Sequence, residues 1–254
     1  METASGINEG KTTVTSRSLK NYELLANLFY YPEDEGYKRK VREVYECLLK
    51  EYPESAEALE RFVEFTEASS VVDMQELFLR SFDIQAITTL DIGFILFGED
   101  YKRGKLLVHL NEEHNKAGNN CETELSDHLP NLLRLMPKMQ DESMRNEIAT
   151  LLILPAVVKM IAEFSPEKIE KKDEVYKKHQ KIILDYSANN RTLYQSCLAA
   201  LFLALKADFG YDPEPDKKGS SMQEMTDPNN PAGFKENPAK DFSQNIESEM
   251  LTEK

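Results

Sequence analysis

The residues best placed to do chemistry stand in the stretch ELSDHLPNLLRLM, residues 124 to 136. Asp127 beside His128 is typical of half a catalytic triad or the start of a metal site, since both pair a carboxylate with an imidazole. The pair also has a structural explanation. Ser126 or Asp127 is predicted to cap a helix, and His128 is predicted to lie on the surface of its first turn.

The residues after this pair have the spacing of a buried helix face. Leu129, Leu132, Leu133 and Met136 follow the i, i+3, i+4, i+7 pattern, which predicts an apolar stripe packed against the core. Pro130 fits within the first turn, where its missing N–H costs nothing. The stripe explains the leucines but not the Asp-His pair.

The other histidines give no recognisable metal box. His109 and His114 in HLNEEH stand five residues apart, about 140° around a helix, whereas the zinc protease box has its histidines at i and i+4. His109 has Glu113 at i+4, and a solvated polar face is the favoured interpretation. A metal-dependent hydrolase built on His109, His114 or His128 is an alternative that bound zinc or manganese would reveal.

Motifs for other reaction classes are missing from the sequence. It contains no G-x-S-x-G nucleophile elbow, no phosphate-binding loop and no dinucleotide fingerprint. The sequence therefore predicts a protein that is not an enzyme and that carries no cofactor.

The block FGEDYKRGKLL is predicted to begin a helix. Gly98 is expected to end the preceding helix and Asp100 to cap the next one, while Lys102 and Arg103 in its first turn oppose the helix dipole. Gly104 costs that helix about 1 kcal/mol relative to alanine. A close backbone approach would explain this glycine, made either by a neighbouring helix or by a bound chain.

Helical periodicity runs along most of the chain, and sustained alternation typical of strands is nearly absent. We therefore predict a single all-α helical bundle of about nine to ten helices over residues 17–210. Two positions within it are singled out: Ser55 as an N-cap, and Pro155 as a kink or restart. The helices are predicted at 17–31, 37–52, 55–68, 71–82, 88–97, 101–118, after residue 125, at 146–164, at 173–190, and at 191–210 in the centre of the bundle.

The termini differ in composition from the bundle. Residues 1–16 are predicted to be a flexible polar segment, and the Pro- and Asn-rich acidic residues 211–254 a disordered tail, because they lack the apolar area needed to offset ordering entropy. Neither a signal peptide nor a long apolar span is present, which favours a cytoplasmic protein without stable membrane insertion.

Charge and cysteine usage narrow the classes of partner. With 45 acidic and 31 basic residues the net charge is −14, which disfavours nucleic acid, since phosphate binding relies on clustered Lys and Arg. Cys47, Cys121 and Cys197 are widely spaced and odd in number, as expected of reduced thiols.

Two blocks resemble a known family. GEDYKRGKLLVHLNEEHNKAG is similar to a G-[DE]-x-x-x-R-G block followed by a helix and a glycine, and ELSDHLPNLLRLM is similar to E-L-P-D-H-L-P-x-x-L-E, about 20 residues later. Both patterns belong to the redox-enzyme maturation chaperones of the nitrate reductase delta-subunit (NarJ) type, relatives of TorD and DmsD. The resemblance runs from about Met74 to Met136, with a looser match at LFYYP near the end of the first helix.

This resemblance implies a TorD-like helical fold and a chaperone function. The implied partner is the apo catalytic, molybdopterin-binding subunit of an oxidoreductase, held through its amino-terminal segment until cofactor insertion and assembly. Carried over by position, the client-binding residues are Gly98, Glu99, Arg103, Gly104, Asp127, His128, Leu129 and Pro130. Asp127 and His128 are expected to be polar anchors at the edge of a groove. A helical adaptor or structural subunit without a maturation role is the alternative.

Overall fold

The computed structural model describes residues 16–172 and 190–210, which form about ten α-helices and no strand. The predicted all-α class is confirmed. Residues 1–15, 173–189 and 211–254 lie outside the described residues, and with them all but the last residue of the helix predicted at 173–190. The helices are α1 Ser16–Leu25, α2 Gly36–Glu51, α3 Pro53–Ala68, α4 Val71–Phe82, α5 Ile92–Phe97, α6 Tyr101–Lys116, α7 Leu129–Leu135, α8 Glu142–Glu147, α9 Leu154–Glu163, α10 Pro166–Lys172 and α11 Leu193–Phe209.

The first helix ends in a tighter turn than its sequence indicates. α1 passes into a 3₁₀ helix at Ala26–Phe29, which shortens the helix predicted over 17–31. The inner face of this segment consists of Leu19, Tyr22, Leu25 and Phe29, which are all buried.

Two predicted starts of helices have different outcomes. Ser70 begins α4 with a capping box, in which its hydroxyl accepts from Asp73 N and the Asp73 carboxylate accepts from Ser70 N. The prediction that Ser55 caps α3 is wrong. Pro53 already occupies the first turn, where its fixed φ suits a helix, so Ser55 lies inside the helix and is buried.

The predicted interruption at Pro155 takes the form of a wider helical turn. Residues Ile148–Ile153 form a π-helix between α8 and α9, so the chain changes its hydrogen-bonding pattern before the proline, which has no N–H to donate. Among the described residues, no single helix is long and apolar enough to span a bilayer. The bent pair Glu142–Glu163 and Pro166–Lys172 together reaches the length and apolar composition of a span.

The centre of the bundle is α11, as predicted. It packs against α3 and α9, and its inner residues, including Cys197, Leu201 and Ala204, have no exposed surface. Tyr22 on α1 and Tyr52 before α3 both donate to Asp208 Oδ2 near the end of α11, each at 2.7 Å. These hydrogen bonds connect α1 and the residue before α3 to the last helix, α11.

The predicted start of α6 at Tyr101 is confirmed, and the helix ends at Lys116, two residues before its predicted end at 118. Asp100 accepts a hydrogen bond from Lys102 N at the start, Gly98 precedes it with φ of 63°, and Gly118 follows its end with φ of 62°. A neighbouring helix does not explain Gly104, because a Cβ built there meets no atom within 4 Å. Close approach by a bound chain stays a prediction.

Candidate functional site

Asp127 is buried at the junction of α5, α6 and α7, and it does not cap α7. Its Oδ2 accepts from Gly93 N at 3.0 Å and from Arg103 Nε at 3.4 Å, and its side chain has no exposed surface. α7 begins at Leu129 with His128 in the cap position and no side-chain cap bond. The predictions that Asp127 or Ser126 caps α7 are therefore wrong, since Ser126 donates instead to the carbonyl of Leu107.

Gly93 is required by the closeness of this carboxylate. A Cβ built on Gly93 would lie 2.7 Å from Asp127 Oδ2, and 3.2 Å from both Arg103 Cγ and Leu106 Cδ2. Only a residue without a side chain allows the carboxylate to reach the backbone N–H of α5.

Arg103 joins two carboxylates. Its second guanidinium contact is from Nη2 to Asp91 Oδ2 at 3.1 Å, and its Cζ lies 5.5 Å from the centre of the Phe94 ring. The two carboxylates offset the unfavourable placement of a cation in the first turn of α6. We call Asp91, Arg103, Asp127 and His128 the carboxylate–arginine cluster.

His128 completes the cluster and is largely buried. Its Nδ1 lies 3.2 Å from Asp91 Oδ1 and 3.9 Å from Glu124 Oε2, with 16% of the side chain exposed. The prediction that His128 lies on the surface of the first turn is correct only in part, because His128 precedes α7 and most of its side chain is covered. Asp91 and His128 also form an isolated antiparallel bridge, in which Leu129 N donates to Leu90 O and Ile92 N to Asp127 O. The bridge fixes the two side chains relative to each other.

The two carboxylates of the cluster have opposite pKa shifts. The hydrogen bond with His128 lowers the pKa of Asp91, with Arg103 adding to the effect against the cost of burial. Burial raises the pKa of Asp127, and the nearby charge of Asp91 raises it further, against the opposing effects of Arg103 and Gly93 N–H. Asp127 Oδ1 is also buried without a hydrogen-bond partner among the described residues.

A second polar group shapes the loop that leads into α7. His114, which is 2% exposed, contacts Ser126 O through Nε2 at 3.0 Å and the Asn119 amide nitrogen through Nδ1 at 2.9 Å. Because the amide can only donate, Nδ1 accepts and Nε2 carries the proton, which is the neutral tautomer. Burial lowers the pKa of His114 and favours the same form.

The prediction that the other histidines lie on a solvated polar face is thus wrong for His114. His109 is also largely enclosed, at 12% side-chain exposure, and its Nδ1 lies 3.9 Å from Glu112 rather than near Glu113. Within residues 16–172 and 190–210, no group of three or more His, Cys, Asp or Glu side chains is placed to hold a metal ion.

A groove of about 1060 Å³ opens beside the cluster, and Asp91 and His128 lie in its wall. Aromatic side chains form its apolar part: Phe29, Tyr30, Tyr31, Tyr37, Phe78 and Phe82. Phe78 makes edge contacts with Tyr31 and Phe82, with ring centres 5.6 and 5.3 Å apart. These contacts give the groove a packed aromatic surface.

The groove is strongly acidic. Two of its lining residues, Lys40 and Arg134, are basic, and Arg134 is engaged by Glu122 and by the carbonyl of Asn120. Seven of its lining residues are acidic: Glu23, Glu33, Asp34, Asp83, Asp91, Glu122 and Glu124. We call this cavity the acidic groove, since a cation placed in it would meet several carboxylates near aromatic faces.

The eight residues predicted to bind a client do not all lie in the acidic groove. Of the eight, only His128 lines the acidic groove. Arg103 and Asp127 stand behind it in the carboxylate–arginine cluster, and full burial of Asp127 rules out its predicted role as a polar anchor at the groove edge.

The remaining predicted residues lie outside the groove. Leu129 and Pro130 are buried in the core, Gly98 ends α5, and Glu99 and Gly104 are exposed. Sequence reasoning missed Asp91 and Gly93. The signal in the sequence was an acid two positions before a glycine, directly ahead of the apolar run FILF, at the start of a short helix.

Comparison with known proteins adds no relationship. No protein-family model matches the chain, and no curated protein matches it.

Proposed function

We propose that this protein is a cytoplasmic chaperone that binds the apo catalytic subunit of a molybdopterin oxidoreductase and holds it for cofactor insertion and assembly. The observation that carries the binding role is the acidic groove with its aromatic wall. The molybdoenzyme client is inferred from the resemblance of the two blocks around Arg103 and His128 to the NarJ-type chaperones.

The chemistry of the acidic groove favours a segment that is basic and partly apolar. Seven carboxylates and two basic groups line it, so the groove would attract a cationic segment both during its approach and once it is bound. The rings of Phe78, Phe82 and Tyr31 offer apolar contact and faces for Lys or Arg. A volume of about 1060 Å³ suits a short helix or an extended strand of a client rather than one side chain.

The carboxylate–arginine cluster would set the shape of one wall. Arg103 holds Asp91, and Asp91 holds His128 at the groove surface. Arg103 and Asp127 are thus positioning residues, and a client would touch Asp91 and His128. Because holding a client requires only binding free energy, this function needs no catalytic group.

Co-expression with the co-encoded apo catalytic subunit tests the proposal. A complex should form with the apo subunit and be lost when the cofactor-loaded enzyme forms. If the protein stays at stoichiometric level in purified, loaded enzyme, it is a structural subunit and the maturation role is wrong. Failure to form a complex with any co-encoded molybdoenzyme subunit would remove the client assignment.

A further inference from the structure

A second cavity, of about 580 Å³, shares only Thr89 with the acidic groove. It lies against α5, α9 and α10. Its volume falls within the range of small-molecule sites. The residues that line it are Ala86, Ile87, Thr88, Thr89, Phe94, Ile95, Lys159, Ala162, Glu163, Lys168 and Lys172.

The charge of this cavity is the reverse of that of the acidic groove. Lys159, Lys168 and Lys172 line it, and Glu163 is the one acidic residue among its lining residues. Three lysines around one cavity make its local charge positive, although the chain as a whole has a net charge of −14. We call it the lysine cavity.

Two of the lysines are held in place. Lys168 Nζ lies 2.7 Å from Glu163 Oε1 and Lys172 Nζ 2.9 Å from Glu163 Oε2, and Lys172 also donates to the carbonyl of Ile87. Burial opposes ionisation of Glu163, but the hydrogen bonds from Lys168 and Lys172 lower its pKa. The ionised carboxylate offsets one lysine charge. The other two lysine charges have no carboxylate partner among the described residues that line the cavity, and Lys159 and Lys168 are exposed to solvent.

A buried hydroxyl points independently to a missing partner. Thr88 lines the lysine cavity and is 6% exposed, and its Oγ1 has no hydrogen-bond partner among the described residues. Leaving a buried hydroxyl unpaired costs on the order of 1–3 kcal/mol. Because Thr88 is one of the residues that line the lysine cavity, a ligand oxygen bound there can supply the partner.

The lysine cavity also has an apolar part. Ile87 is buried and Ile95 half-buried, whereas 41% of Phe94 is exposed. A bare inorganic anion would leave this surface uncovered, and an organic group would bury it.

We propose that the lysine cavity binds a small phosphorylated organic molecule. A phosphate monoester carries close to two negative charges at neutral pH and offers three acceptor oxygens, which match the two uncompensated lysine charges and the Thr88 hydroxyl. The organic part lies against Phe94 and Ile95. This site is separate from the acidic groove, and its existence does not depend on the chaperone function.

Calorimetric titration of the full-length protein with phenyl phosphate tests the site. Phenyl phosphate should bind saturably, inorganic phosphate more weakly, and phenol without measurable heat. Lys159→Glu and Lys168→Glu should each weaken binding by about tenfold or more, since each reverses a charge at the phosphate. Lys50→Glu is the matched control, because Lys50 is an exposed lysine on α2 outside the cavity, and it should leave the affinity unchanged.

Thr88→Val separates a ligand contact from a structural role. It should weaken phenyl phosphate binding about three- to tenfold without lowering the melting temperature of the free protein, because it removes a hydroxyl that has no partner there. No saturable binding at millimolar phenyl phosphate, or equal affinity for the Lys159→Glu, Lys168→Glu and Lys50→Glu variants, would overturn the proposal.

Discussion

Replacing Gly93 with alanine should disrupt the carboxylate–arginine cluster. The new Cβ would lie 2.7 Å from Asp127 Oδ2, a separation that real Cβ atoms do not show, and 3.2 Å from Leu106 Cδ2. Asp127 cannot move to solvent, because it is fully buried and bonded to Gly93 N and Arg103. The clash must therefore lengthen or break those bonds.

The magnitude follows from two opposing effects. Weakening hydrogen bonds to a buried charged group and crowding the core cost on the order of 2–4 kcal/mol. Alanine in place of glycine within α5 returns about 1 kcal/mol through helix propensity. We expect Gly93→Ala to lower the free energy of unfolding by about 1–3 kcal/mol.

Gly104→Ala is the matched control. Gly104 is also helical, and a Cβ built there meets nothing within 4 Å, so only the propensity gain applies. It should raise the free energy of unfolding by about 0.5–1 kcal/mol. Urea unfolding followed by circular dichroism measures both variants. A Gly93→Ala protein as stable as the wild type, or a Gly104→Ala protein less stable than it, would refute the reasoning.

Three further substitutions test the same structure by urea unfolding. The pKa of Asp91 is lowered, so its ionised form stabilises the fold. Asp91→Asn should therefore lower the free energy of unfolding by its full amount above pH of about 4, and by less as the pH falls through the lowered pKa. A loss of stability that does not change with pH would contradict this. The raised pKa of Asp127 gives the opposite dependence of stability on pH. The contribution of Asp127 to the free energy of unfolding is full below pH of about 4 and is lost as the pH rises through the raised pKa. Asp127→Asn should therefore become more stable relative to wild type as the pH rises through that range. A variant that becomes less stable relative to wild type over the same range would contradict this. Tyr22→Phe removes a 2.7 Å bond to the Asp208 carboxylate and should cost about 1.5–3 kcal/mol, whereas no change would show that this bond does not stabilise the bundle.

The fold was largely predictable because it depends on local signals. Helical spacing, the Ser70 and Asp100 caps and the positive φ of Gly98 and Gly118 are properties of a few adjacent residues. Where local signals competed, the prediction failed. Ser55 is a favourable cap residue, but Pro53 two positions earlier already starts α3.

The candidate site was less predictable because its contacts join distant parts of the chain. Asp127 has the sequence context of a cap, yet Gly93 N, 34 residues away, and Arg103 take its carboxylate. His114 is buried through bonds to Asn119 and Ser126 that helical periodicity does not encode.

The acidic groove was predictable in character but not in place. The net charge of −14 indicated an excess of acidic residues but not where they would gather, and the lining comes from α1, the residues before α2, α4 and the loop before α7. No local pattern relates these segments. The resemblance identified His128 in this wall and missed Asp91, its partner.

Calorimetric titration with the amino-terminal segment of the co-encoded apo catalytic subunit tests the central claim most directly. The groove variant carries Glu33→Lys and Glu124→Lys, and the control carries Glu46→Lys and Glu60→Lys, which are exposed outside the groove and change the net charge equally. The proposal predicts that the groove variant loses about tenfold or more in affinity while the control stays within about threefold of wild type. Equal affinities of the two variants would contradict binding in the acidic groove.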